Sequence, residues 1–130
     1  MKKQVQAWLK LAAEDLASTR VLLRENIYNQ VCFHAQQTAE KSLKALIELK
    51  TKVPKEHSLS KLFEICRELG YELSQFRDGV EYLDMFYTST RYPFVVGILP
   101  TGVPSKQDAE KSLSIANDIY RFCEDLLKQE

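Results

Sequence analysis

The 130-residue chain has only four glycines and four prolines, and three of the prolines and two of the glycines fall between Tyr92 and Pro104. Long stretches on either side are therefore free of the two residues that interrupt helices. Cysteine is scarce as well. Cys32, Cys66 and Cys123 form no CxxC pair, which excludes a zinc-finger spacing and a secreted disulfide framework. Each lies inside an apolar helical pattern and reads as a buried, reduced thiol packing as a small hydrophobe. Neither sign of charge prevails, with eighteen basic residues against eighteen acidic ones, so the surface as a whole is not a generic binder of nucleic acid or membrane. The longest apolar run, Val95 to Leu99, is far below the ~18 residues of a spanning helix. The first sixteen residues open on two lysines, Lys2 and Lys3, without an apolar h-region, and Glu14 and Asp15 break the apolar pattern further on. That segment reads as a helix start rather than a signal peptide, and a cytoplasmic location is expected.

Chemistry-bearing motifs are also missing. GxSxG, Walker, HExxH and Rossmann glycine patterns are absent, and only two histidines, His34 and His57, occur. No cofactor, metal ligand set or catalytic residue is expected, and a non-enzymatic role is favoured. Glu81 and Asp84 are paired carboxylates on one helix and read as solvated charge, while His57-Ser58 reads as a loop or cap element.

What the chain does have is helical periodicity. At 45% hydrophobic and 28% charged residues it has the balance of one globular domain, residues 1–130. Val5, Leu9, Ala12, Leu16, Thr19 and Leu23 recur at three- and four-residue spacing and predict a helix over 3–25, with Trp8 on its flank. A second helix, with Asn29 as a candidate cap, runs to Lys50 on a stripe of Tyr28, Cys32, Ala35, Ala39, Leu43 and Leu46. Ser58 is the expected cap of a shorter helix that Gly70 terminates. A fourth helix is predicted over 74–90, with Phe76, Val80, Leu83 and Tyr87 on one face, and the Tyr92–Pro104 segment continues it as a long ordered loop. Ser105 and Asp108 resemble a capping box that opens a last helix to Lys128. That helix carries two apolar stripes, one of Ala109, Leu113, Ala116, Tyr120, Cys123 and Leu127, the other of Ile115, Ile119, Phe122 and Leu126. So wide an apolar face suggests a central helix or contact with a second subunit, and a homodimer is expected. The predicted fold is all-α, an antiparallel up-down four-helix bundle with an additional short helix.

Charge is unevenly placed within this frame. Residues 41–61 hold six lysines against two glutamates, and residues 62–86 two arginines against six acids. At ~100° per residue, His34, Gln37, Lys41 and Lys44 fall within an arc of about 80° opposite the apolar stripe, in a row ~15 Å long. An imidazole, an amide and two ammonium groups in a row suit a phosphate or a base edge. Tyr87 and Arg91, four residues apart, with Tyr92 and Pro93 directly after them, form a second candidate platform for phosphate or base.

Three pieces of sequence resemble the HEPN domain family: the run from Cys32 to Leu46 (CFHAQQTAEKSLKAL), His57-Ser58-Leu59 after a proline loop, and Tyr87 through Arg91-Tyr92-Pro93. The Trp8–Asp15–Leu16 opening and the Asp108-Ala109-Glu110 closing helix are similar too. The resemblance implies a small, commonly dimeric α-bundle, often encoded beside a minimal nucleotidyltransferase in toxin–antitoxin-like pairs, with many members binding or acting on RNA. Ribonucleases of that family carry Arg followed four to six residues later by His, a spacing no pair here has; the nearest, Arg24 and His34, are ten apart. The expected function is therefore a non-catalytic module that binds nucleotide or RNA through His34, Gln37, Lys41, Lys44, Tyr87, Arg91 and Tyr92. The alternatives are a ribonuclease toxin with an unconventional His34/Arg91 site and a purely structural dimerisation bundle.

Overall fold

A computed structural model describes residues 2–87 and 103–129. All regular elements among them are helical: α1 (Lys3–Arg24), α2 (Tyr28–Lys50), α3 (Leu59–Glu68), a 3-10 turn (Ser74–Phe76) leading into α4 (Arg77–Asp84), and α5 (Lys106–Lys128).

The helix ends show why the chain turns where it does. Asn26 closes α1 at φ 61°, with its N–H donating to the Leu23 carbonyl and that of Ile27 to the Leu22 carbonyl. Gly70 closes α3 in the same way at φ 97°, with Tyr71 N–H reaching the Cys66 carbonyl. Both are left-handed C-terminal caps that satisfy carbonyls the helix leaves over. Ser58 caps α3 by accepting from Lys61 N–H, and Ser105 and Asp108 form the reciprocal capping box of α5. Asn29 does not cap α2. It lies inside the first turn, and the flanking residue Ile27 contributes no side-chain bond.

Helix α2 is the centre of the molecule and is buried on nearly every side, including Gln36, Thr38, Glu40, Ser42 and Lys44. It packs mainly on α1 and α5, with α3 and α4 completing its surround. Helices α1 and α2 run antiparallel: Asp15 meets His34, and Trp8 meets Glu48. Helices α4 and α5 do so as well, with Phe76 against Phe122 at 5.1 Å and Tyr82 bonded to Asp108. The alternation is interrupted once. Residues 51–58 run back along α2, so His57 lies beside Gln36, Cys66 beside Leu43 and Tyr71 beside Leu46. Helix α3 therefore runs in the same direction as α2.

The second apolar stripe of α5 finds partners within the chain. Phe122 packs on Phe76, and Ile115 sits so close to Gly79 that a Cβ there would lie 2.8 Å from Ile115 Cγ2. Within the predicted fourth helix, a 3-10 turn leads into α-helix over Arg77–Asp84, Met85 is a turn and 86–87 are helical again, while 88–90 lie outside the described residues. All three cysteines are buried free thiols; burial pushes Cys32 up to about 11 and Cys66 up to about 12.

Candidate functional site

The polar row on α2 separates into two clusters, each organised by a carboxylate that belongs to the core. In the first, Asp15 of α1 receives His34 Nδ1 at 3.0 Å on one oxygen and the Lys41 ammonium on the other. One turn of α1 thus clamps two side chains that lie seven residues, about two turns, apart on α2. Burial alone would raise the Asp15 pKa, but hydrogen bonds from His34 and Lys41, and their charge, outweigh it and hold the carboxyl below its ordinary value. An ionised carboxylate only accepts, so His34 Nδ1 carries a proton and donates to Asp15.

The second cluster surrounds Glu40, whose side chain is only 4% exposed. Lys44 Nζ donates to Glu40 Oε2 at 3.0 Å and lies 5.4 Å above the Trp8 ring. His57 Nδ1 reaches the same carboxylate oxygen at 3.3 Å, and Gln36 Nε2 donates to the His57 carbonyl at 3.2 Å. Gln37 donates to Gln36 Oε1 at 2.7 Å. The His57 ring, 60% exposed, stacks on Tyr87 with centroids 5.7 Å apart and planes 9° from parallel.

Lys44 is thus not an open cation facing a groove: it is buried and neutralised by Glu40. Gln37 and Lys41 are half-buried and committed to internal partners. Tyr87 joins the Glu40 cluster through His57, while Arg91 and Tyr92 lie outside the described residues.

Much of the lysine excess at 41–61 is likewise used internally. Lys41 and Lys44 pair with Asp15 and Glu40, and Lys50 donates to the Leu69 carbonyl over the Tyr71 ring. Lys61 faces Glu56 at 3.9 Å but is largely exposed, while Lys52 and Lys55 are exposed without an ion pair among the described residues.

Asp84 is far from being solvated charge. It accepts from Leu59 N–H at 2.8 Å, Ser60 N–H at 3.3 Å and the Ser58 hydroxyl at 3.1 Å, so α4 caps the start of α3. Glu56 adds bonds from the backbone N–H groups of His57 and Ser58, chiefly the latter, which hold its carboxyl below the ordinary value. These anchors fix the backbone on both sides of the His57 ring.

Described residues of the three pieces of sequence that resembled one family therefore meet in one place: Gln36 and Glu40 hold His57, Ser58 is held by Asp84, and His57 stacks on Tyr87. The HEPN domain model matches residues 5–126. The chain belongs to the HEPN family. A Methanocaldococcus jannaschii protein named Putative toxin MJ1304 is 30% identical over 138 residues, covering 98% of this chain and 91% of that protein. Among solved structures, TT1696 from Thermus thermophilus superposes with a TM-score of 0.84 at 29% identity, covering 95% of this HEPN chain and 98% of the other. The Thermotoga maritima HEPN domain protein TM0613 gives 0.76 at 27% identity, covering 95% and 99%. An archaeal HEPN homologue, ST0689, gives 0.74 at 29%, covering 97% and 98%.

Sequence reading missed the organising acids of this HEPN bundle. Asp15 was part of the resemblance but had no assigned partner, and Glu40 lay within the Cys32–Leu46 run with no role of its own. A further feature had no sequence signal at all. Arg20 of α1 donates to Asn117 of α5 at 2.9 Å, and these two residues with Arg121 line adjoining depressions of about 320 and 380 Å³. Glu110, Glu124 and Asp125 line the same surface, so it carries no net positive charge for an anion. No helix among the described residues is long and apolar enough to cross a membrane, and no group of three or more His, Cys, Asp or Glu among them is placed to hold a metal ion.

Proposed function

We propose that this HEPN chain is a non-catalytic nucleotide- or RNA-binding module that acts with a minimal nucleotidyltransferase in a toxin–antitoxin-like pair, as a homodimer. The observation that carries the reading is the His57–Tyr87 stack, a flat, partly exposed aromatic surface anchored on buried Glu40. Stacking on aromatic rings is the sequence-tolerant way in which single-stranded nucleic acid is held. Lys55 and Lys61 flank His57 in the chain and are exposed, so they supply charge for phosphate. Arg91 and Tyr92 come four and five residues after Tyr87 and extend the same stretch of sequence. The toxin name of the Methanocaldococcus relative supports the toxin–antitoxin setting. His34 and Lys41 form the second part of the proposed site, pre-oriented by Asp15; Lys44 and Gln37 act behind it by holding Glu40 and Gln36.

A binding titration with ATP, GTP and short single-stranded RNA tests this directly. Wild type binds RNA with a steep salt dependence, Tyr87→Ala lowers affinity by about tenfold, and the Lys41→Ala/Arg91→Ala double variant weakens it further. Equal affinity in all three proteins removes the proposed site.

A further inference from the structure

Helices α1 and α5 lie side by side and antiparallel. Arg20 bonds Asn117, Leu23 shares one depression with Glu110 and Leu113, and Ala13 shares the other with Glu124 and Asp125. The two depressions join at Arg20, Asn117 and Arg121 into one furrow. Six charges in and beside it have no opposite partner. Glu110, Arg121 and Asp125 of α5 are exposed and make no ion pair among the described residues, and the same holds for Arg24, Glu14 and Lys10 of α1. Taken in that order, the two rows carry opposite signs at every place.

Within one chain the rows do not meet. Arg20 faces α5, and each step from Arg20 to Ala17 to Glu14 swings ~60° around α1, so Glu14 is turned away by ~120°. Lys10 is turned away by ~80°. A second copy brings the rows together through a two-fold axis parallel to the helices. Such an axis leaves heights along the helices unchanged, so α1 of the second copy enters the furrow in the register of the chain's own α1. Counting from the Arg20–Asn117 bond, Glu14 stands level with Cys123, Lys10 with Leu127 and Arg24 with Leu113. In the second copy they therefore fall about 3 Å from the level of Arg121, about 3 Å from that of Asp125 and about 4.5 Å from that of Glu110. Long side chains close such gaps without any sliding of one copy on the other.

Apolar surface follows the same geometry. Val21, 48% exposed in the single chain, is carried into the furrow near Leu113. Exposed Ala17, midway round the arc from Arg20 to Glu14, meets its own counterpart on the axis and lets the two α1 helices approach. The wide apolar face of α5 that suggested a second subunit is covered internally by Phe76 and Gly79, so contact between copies needs a different face. Eighteen basic and eighteen acidic residues leave no net repulsion between copies.

We infer that the α1/α5 furrow receives α1 of a second copy of this chain, in an isologous dimer held by Glu14–Arg121, Lys10–Asp125 and Arg24–Glu110 pairs, each formed twice. The inference rests on the homodimer of the proposed function and supplies its face, and it uses no residue of the proposed nucleotide site.

Analytical ultracentrifugation of the intact chain over a dilution series provides the test. Wild type is dimeric. Glu14→Arg and Arg121→Glu each weaken self-association by at least about tenfold, because like charges then meet twice across the axis. The Glu14→Arg/Arg121→Glu combination restores it. Both positions are exposed, and all three variants keep the wild-type melting temperature. Under mild oxidation Ala17→Cys forms a disulfide-linked dimer and exposed Lys52→Cys does not, the three native thiols being buried. A monomer at every concentration overturns this inference and the homodimer alike. A dimer that the single variants leave intact, that the combination fails to restore or that Ala17→Cys does not link overturns the face alone.

Discussion

Replacing Asp15 by Asn keeps the shape of the side chain and removes the charge on which His34 and Lys41 converge. Removing one member of a fully buried ion pair costs about 3–5 kcal/mol, because the other is left uncompensated. Here the Asp15 side chain is 12% exposed but that of Lys41 is 23% exposed, so the ammonium can turn partly toward water. The expected loss at pH 7 is therefore at the lower end, about 2–3 kcal/mol, or roughly 6–15 °C in melting temperature for a domain of this size. The depressed carboxyl also sets the pH dependence. Its folded pKa lies below the ordinary 3.8, so its stabilisation is complete above that value and is lost as pH falls through the folded pKa. Urea unfolding of wild type and Asp15→Asn across pH 7 to 2.5, with exposed Asp118→Asn as control, measures both effects. The gap between the first two closes below about pH 4, and Asp118→Asn stays within about 0.5 kcal/mol of wild type throughout. A deficit for Asp15→Asn under about 0.5 kcal/mol at pH 7, or one that persists undiminished at pH 2.5, refutes the reasoning.

Other outcomes rest on single contacts. Asp84→Ala removes three bonds at the start of α3 and is expected to cost about 1–2 kcal/mol in chemical denaturation. Gly79→Ala forces a methyl against Ile115 Cγ2 and should cost about 1–3 kcal/mol; combining it with Ile115→Ala recovers part of that loss in a double-mutant cycle. The three buried thiols should react with a disulfide reagent only as fast as the chain opens, since burial raises all of their pKa values. A fast-reacting Cys32 or Cys66 in native buffer contradicts the packing.

Helix positions were legible because their signals are local. Apolar periodicity located α1, α2, α3 and α5, while Ser58, Gly70 and the Ser105/Asp108 box acted on neighbours within three or four residues. The candidate site was less legible because its decisive contacts are distant in sequence. Asp15 meets residues 19 and 26 positions away, and Asp84 meets residues 24 to 26 positions away. Periodicity says which face a carboxylate occupies, but not what lies opposite it. The α2 row misled for a related reason. A central helix buries its polar face as well as its apolar one, so Lys44, placed on an apparent solvent side, is sealed against Glu40 and Trp8. The direction of α3 was hidden in the 51–58 segment, whose length allows a return along α2 that an up-down pattern does not anticipate.

The most direct test of the account is an amide NMR map of the intact chain during titration with a short single-stranded RNA. The convergence of the three family segments predicts that the largest shifts fall on 55–61 and on Tyr87, with smaller ones at His34 and Lys41. Shifts confined to the Arg20, Asn117 and Arg121 surface, with 55–61 and Tyr87 unmoved, would contradict it.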